Sequence, residues 1–191
     1  MENKKCIVTG DRQTGSLHIG LYLGSLKKRG EMQNEVYKLL KQLNIEYIKI
    51  QHPPLFTCED SKKYNLKFDA MVCKTLFLRN SNKSQYYIVI LPIEKKIDLK
   101  QLQILLGETR LSFSDEENLK EKLGVKSGAV SIFNVINIKE NDIVFILDKE
   151  ILEHKSVGFS PNINTETVIF NSVEINKILE YYFVQYKFID I

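Results

Sequence analysis

The sequence predicts an α+β fold built around a mixed, largely antiparallel β-sheet with helices between its strands. Two apolar runs, residues 69–79 and 84–91, are joined by the turn residues NSNK, the pattern of a β-hairpin. Further short strands lie beyond it, separated by helices with legible caps. No repeat, linker or low-complexity stretch interrupts the chain after Met32.

In chain order, residues 5–10 (KCIVTG) read as a short strand. From Met32 helical spacing takes over. Val36, Leu39, Leu40 and Leu43 share one face, with Glu35, Lys38 and Lys41 opposite. Tyr47, Ile48 and Ile50 form a strand. His52-Pro53-Pro54 then fixes an extended turn, because two prolines exclude helix. Thr57, with Asp60 beyond it, reads as the N-cap of a short helix to about Tyr64. His52 reads as structural, and Phe56 as either core or pocket wall. Lys74 lies inside the first apolar run of the hairpin. Strand alternation lets it face solvent. Equally, it presents an ammonium to a pocket, where it could hold a phosphate or carboxylate oxygen.

Asp98 caps a helix over residues 99–106 that Gly107 ends. Residues 110–113 form a short strand. Ser114 caps residues 115–124 (DEENLKEKLG), whose acidic start and basic end suit the helix dipole. Gly124 suits the left-handed residue after a helix. Ser127, Gly128 and Ala129 then give three small residues, and residues 130–136 read as a buried strand. Small side chains let backbone N–H groups approach a ligand, and glycine permits positive φ. Such a loop is either an oxyanion or phosphate cradle or an ordinary helix–turn–strand connection. Residues 143–147 form a strand and 149–154 a short helix. Residues 156–170 form a broken strand pair with Pro161 at the turn, 173–182 an amphipathic helix, and 183–191 a final strand.

At 191 residues the chain fits one domain of ordinary size with a small appendage. Its 43% hydrophobic and 27% charged content is that of a globular protein. No apolar run approaches a membrane span and the N-terminus lacks a signal-peptide core, so no membrane partner and a cytoplasmic location are expected. A net charge of +3 is compatible with RNA binding without requiring it. Cys6, Cys58 and Cys73 are far apart, and His18, His52 and His154 are isolated. That spacing suggests no zinc site, no disulfide framework and no other metal or cofactor. Cys73 reads as a buried thiol.

Residues 11–33 (DRQTGSLHIGLYLGSLKKRGEMQ) resemble the opening of tryptophanyl-tRNA synthetase, where a TGxLHxGH phrase leads into the first helix. His18-Ile19-Gly20 matches, but Leu21 stands where the second histidine of that phrase belongs, and no KMSKS-like loop occurs downstream. The segment is also far too short for a nucleotide-binding domain. Residues 1–31 are therefore expected to be an appendage that adenylates nothing.

Residues 32–191 resemble the YbaK/prolyl-tRNA-synthetase-associated domain family, nearest to its PrdX-like members. The phrases that carry the likeness are HPPLFT (52–57), CKTLFL (73–78), GETRLSF (107–113), LGVKSGAVSIFNVIN (123–137) and FSPNINTET (159–167). The resemblance implies a compact, barrel-like mixed sheet with flanking helices, and a metal-free trans-editing hydrolase that removes wrongly attached amino acids from tRNA. Alanine on tRNA(Pro) is the first expectation and cysteine on tRNA(Pro) the second. A non-catalytic tRNA- or synthetase-binding module is the rival of another class. Lys74 matches the family lysine held to engage the terminal nucleotide or the aminoacyl group. Gly128 matches the glycine beside the scissile carbonyl. Phe56, Thr57, Ala129, Ser160 and Asn164 are the expected substrate-binding positions. The implied partners are tRNA, most simply tRNA(Pro), and prolyl-tRNA synthetase. Ser160 departs from the histidine of many alanyl-specific members, Ile132 from a usual proline, and Thr75 from a common asparagine.

Overall fold

The computed structural model describes the backbone of residues 19–55 and 69–191, with side chains described from residue 30 onward. The strand expected at 5–10, and the helix over 57–64 with its Thr57 cap, lie outside the described residues.

Helix α1 (Ile19–Gln42) buries Val36, Leu39 and Leu40 in the core, as their spacing requires. It is one continuous helix, so the boundary expected at residues 31 and 32 falls within it. Asn44, at φ 52, turns the chain into β1 (Tyr47–Gln51). Strands β2 (Met71–Asn80) and β3 (Tyr86–Pro92) form the expected hairpin, in register from Cys73 opposite Pro92 to Arg79 opposite Tyr86. Helix α2 (Leu99–Leu106) starts where the Asp98 carboxylate accepts from the Lys100 and Gln101 N–H groups. It ends at Gly107, whose φ is 70.

After β4 (Leu111–Phe113) comes α3, an α-helical turn (Glu116–Asn118) that widens into a π-helical one (Leu119–Leu123). Its cap is Asp115, which accepts from the Asn118 N–H at 2.9 Å, and not Ser114. The Ser114 N–H still donates to the Phe77 carbonyl at 2.9 Å, so that residue belongs to the sheet edge. The strand expected over 130–136 is instead a 3-10 helix (Ile132–Asn137). Ser131 and Asn134 cap it reciprocally: the Ser131 hydroxyl accepts from the Phe133 N–H, and the Asn134 side chain accepts from the Ser131 N–H at 2.8 Å. A short apolar run cannot by itself distinguish a buried strand from a buried helix. The capping pair decides here.

The chain continues through β5 (Ile143–Asp148), α4 (Glu150–Glu153), β6 (Ser156–Phe159), β7 (Glu166–Asn171), α5 (Glu174–Tyr181) and β8 (Gln185–Ile189). The strands form one mixed sheet in the order β1-β7-β6-β2-β3-β5-β8, with β4 added beside β2. Pairs β1·β7, β6·β7, β2·β3 and β2·β4 are antiparallel, while β2·β6, β3·β5 and β5·β8 are parallel. Helices α1 and α5 and the 3-10 helix supply buried side chains to the larger core, and α2 to the smaller one. Among the described residues no helix is long and apolar enough to cross a membrane.

The long strand β2 is covered unevenly. Opposite β3, its start pairs with β6 through Met71 and Val72, and its end pairs with β4 through Leu78, Arg79 and Asn80. Among the described residues no strand covers the edge between. The sheet opens there.

Candidate functional site

A cavity of about 700 Å³ occupies that opening. Met71 to Leu76 of β2 form one wall, and the turn after β3 (Pro92, Ile93, Glu94) the next. Gly128 and Val130, the β6 end with Ser160, the loop beyond it with Asn164, and His52, Glu166, Thr167, Glu150 and His154 complete it.

Lys74 faces the cavity, which decides between the two alternatives its strand position left open. Its ammonium donates to the Ile93 carbonyl at 3.2 Å and, by a short bond, to the Lys95 carbonyl. An ammonium has three N–H donors, so these two bonds leave one. The turn that supplies the carbonyls is itself held. The Lys95 side chain pairs with the buried Asp148 at 2.6 Å and with Glu150 at 3.3 Å, and hydrogen bonding to Asp148 raises the Lys95 pKa above its ordinary value.

Gly128 adopts φ +82, a conformation costly for a residue with a Cβ. A Cβ there would meet nothing within 4 Å, so the requirement for glycine is one of backbone conformation and not of space. Around it the Ala129 N–H donates to the Lys126 carbonyl, and the Ser131 N–H is taken by Asn134. Among the described residues no acceptor meets the N–H groups of Gly128 and Val130, and both residues line the cavity.

A buried polar network fastens this loop to the one opposite. The Ser131 hydroxyl donates to the Ser160 carbonyl at 2.6 Å, and the Asn134 amide donates to the Asn162 side chain at 2.8 Å. Each partner satisfies a group that burial would otherwise penalise. The Ser160 hydroxyl turns back to the Ile163 carbonyl. The Asn164 and Thr165 carbonyls accept from the Leu55 and His52 N–H groups at 2.8 and 3.0 Å, and the His52 ring meets the Thr167 hydroxyl at 2.9 Å.

Glu166 closes the far wall. Burial alone would raise its pKa, but bonds from Lys49 (2.8 Å), Tyr37 (2.6 Å) and Gln51 (3.2 Å) hold the carboxyl below the ordinary glutamate range. Gln33 also donates to it, which ties α1 to the cavity wall. The Cys73 thiol is pushed up, chiefly by burial and also by the charge of Asp148. It stays protonated at neutral pH and is a poor nucleophile. Among the described residues no group of three or more His, Cys, Asp or Glu could hold a metal ion.

Of the residues expected from sequence, Lys74, Gly128, Ser160 and Asn164 come together around one cavity. Ala129 neighbours it, but its side chain packs against the core. Phe56 and Thr57 lie outside the described residues. Sequence reasoning missed Lys95, Asp148, Glu166 and the Ser131–Asn134–Asn162 network. Only the S-x-x-N spacing of Ser131 and Asn134 offered a local signal.

A sheet opened at one strand edge, with a tethered lysine and a glycine loop on the walls, is built to take a small polar group against main-chain donors. The chain belongs to the aminoacyl-tRNA editing domain family, whose description matches residues 52–178. It is similar to the prolyl-tRNA editing protein ProX of Acetoanaerobium sticklandii, with 34% identity over 78% of this chain and 92% of that protein. It is also similar to the prolyl-tRNA synthetase associated domain-containing protein 1 of Danio rerio, with 28% identity over 78% of this chain and 82% of that one. Among solved structures, one described as a candidate trans-editing enzyme for prolyl tRNA synthetase shares the fold. Its TM-score is 0.60 at 14% identity, covering 84% of this chain and 97% of that one. A short N-terminal stretch is 66% identical over 32 residues to the tryptophan–tRNA ligase of Lactococcus lactis, 17% of this chain and 9% of that enzyme.

Proposed function

We propose that this aminoacyl-tRNA deacylase acts in trans on tRNA(Pro) and removes alanine. The observation that carries the reading is Lys74, an ammonium held at the wall of the cavity with one donor left over.

An aminoacyl ester is already activated, so the site need only place a water and stabilise the oxyanion. Water adds to the ester carbonyl carbon, and the carbonyl oxygen takes the negative charge. The N–H groups of Gly128 and Val130 are the donors available to that oxygen. The tetrahedral species then collapses, the bond to the ribose oxygen breaks, and the proton from water passes to that oxygen. The products are free amino acid and deacylated tRNA. The adjacent ribose hydroxyl orients the water, and Lys74 holds the terminal nucleotide or the aminoacyl group. No side-chain nucleophile is required.

Discrimination rests on the walls. A cavity closed by Ser160 and the Asn164 loop can reject proline by steric clash more readily than it can rank small side chains. Phe56 and Thr57 belong to this reading as substrate-binding positions, and residues 1–31 as an appendage outside the chemistry. We place the protein in the cytoplasm, with prolyl-tRNA synthetase as a partner. The test is hydrolysis of Ala-tRNA(Pro), Cys-tRNA(Pro) and Pro-tRNA(Pro). Loss of alanine alone supports the proposal. Loss of cysteine instead makes Ser160 the marker of substrate choice. Measurable tRNA affinity with no ester cleaved above the buffer rate establishes a binding module.

A further inference from the structure

The proposed reaction gives Lys74 a role without accounting for how it is aimed. A lysine stem has four rotatable bonds, and a free ammonium on such a stem samples a wide volume. Here the ammonium is fixed by two carbonyls of one short turn, Ile93 and Lys95. The turn is anchored at its base, where the Ile93 N–H donates to the Val72 carbonyl at 2.9 Å and the Lys95 N–H to the Pro92 carbonyl at 3.0 Å. Its tip is anchored by the Lys95 side chain, which reaches Asp148 at the end of β5. Asp148 is 1% exposed. Its other oxygen accepts from the Glu150 N–H at 3.0 Å, so turning the carboxylate away also breaks its bond to the first residue of α4.

We infer that the Lys95–Asp148 ion pair is a positioning device: it holds the turn whose carbonyls aim Lys74, and it acts on the reaction only through Lys74. A salt bridge there for stability alone would be a weak device, because the desolvation of buried charges offsets most of its Coulombic gain. Its place at the tip of the turn that cradles Lys74 fits a geometric role. The inference rests on the deacylase reading for its kinetic arm and stands apart from it for its structural arm.

The kinetic arm compares wild type with Lys95→Met, Lys95→Arg, Lys74→Ala and the Lys74→Ala/Lys95→Met double variant on Ala-tRNA(Pro). Lys95→Met keeps the stem but removes the charge. Its kcat is expected to fall by about 100-fold, the scale of a misplaced catalytic group. Lys95→Arg, which can still meet the carboxylate, restores most of that loss. The double variant is no slower than Lys74→Ala alone, as expected when one residue works through the other. Losses that multiply in the double variant overturn the inference, as does wild-type kcat in Lys95→Met.

The structural arm needs no substrate. Brief acetic anhydride labelling, read by mass spectrometry, is expected to modify Lys74 several-fold faster in Lys95→Met than in wild type, while the exposed lysines label equally in both. Equal labelling of Lys74 in the two proteins overturns the inference. Should wild type cleave no ester, the deacylase reading fails and the labelling result still decides whether Lys95 holds the cradle.

Discussion

β3 and the first part of β2 lie side by side and are built to opposite specifications. All seven residues of β3 are buried, and none from Tyr86 to Pro92 touches solvent appreciably. Met71 to Leu76 of β2 are each only half-buried. The cause is the neighbour. β3 runs between β2 and β5 with packed side chains on both faces. Among the described residues, β2 lacks a ladder partner on one edge between Val72 and the residues that meet β4. A sheet can therefore place a polar site against its own core by withholding one strand's partner over a few residues. The covered strands carry the core, and the gap holds the cavity.

The largest test of that division is Phe145→Ala on β5, a fully buried ring in the larger core. It is expected to cost about 3–5 kcal/mol, the range for emptying an aromatic site, as a drop in the urea midpoint with the slope unchanged. A loss well under 1 kcal/mol would mean that the covered strands are not where stability lies.

Next comes Asn134→Ala, which leaves the Ser131 N–H and the Asn162 side chain without their partners. Leaving buried polar groups unpaired costs roughly 1–3 kcal/mol. The loop carrying Gly128 should loosen with it, and amide exchange across residues 126–131 should speed up in the variant. Unchanged exchange would show that the loop is held by something other than this network.

Glu166→Gln sharpens the comparison through pH. The folded-state pKa of Glu166 is depressed, so its stabilising contribution is complete above the ordinary glutamate value. It is lost as pH falls through the depressed folded value. The substitution is expected to cost about 1–2 kcal/mol at pH 7, where the charge-assisted bonds from Lys49 and Tyr37 are lost. The gap between the two proteins should close toward acid pH. Urea midpoints at neutral and acid pH measure it, and a gap that stays constant would contradict the assignment.

An effect no larger than that of Glu166→Gln is expected at Gly128→Ala. With no atom within 4 Å of the added Cβ, only the φ of +82 opposes it, at about 1–2 kcal/mol. The Gly128→Asn variant, which tolerates positive φ better, should cost less in a thermal melt. Equal losses for both would point to a steric clash instead.

Legibility in the sequence depends on whether a signal is local. The apolar spacing of Val36, Leu39 and Leu40, the Asp98 cap and the glycine stops at Gly107 and Gly124 are properties of neighbouring residues, and each is readable. The run after Ala129 suits strand and buried helix alike, so its apolar character points to the wrong element, and the Ser131–Asn134 pair settles it only once both side chains are placed. Resemblance points to Lys74 and Gly128, and both line the cavity, whereas strand periodicity leaves Lys74 undecided between solvent and pocket. Lys95 and Asp148 fall outside the phrases that carry the resemblance, and Glu166, though inside one, is given no role by it. Their meaning comes from partners on other strands, and a charged residue in an isolated sequence looks like a surface residue until those partners are in place.

The most direct measurement is the rate of Ala-tRNA(Pro) hydrolysis by wild type and by Lys74→Ala, with a thermal melt of each. Rapid hydrolysis by wild type is expected, with the variant's turnover cut to a small residual rate and closely matched melts. The ammonium contributes to the site without being part of the core. Wild-type turnover in Lys74→Ala, or a variant that unfolds, would contradict the claim that Lys74 belongs to the site's chemistry and not to the stability of the sheet.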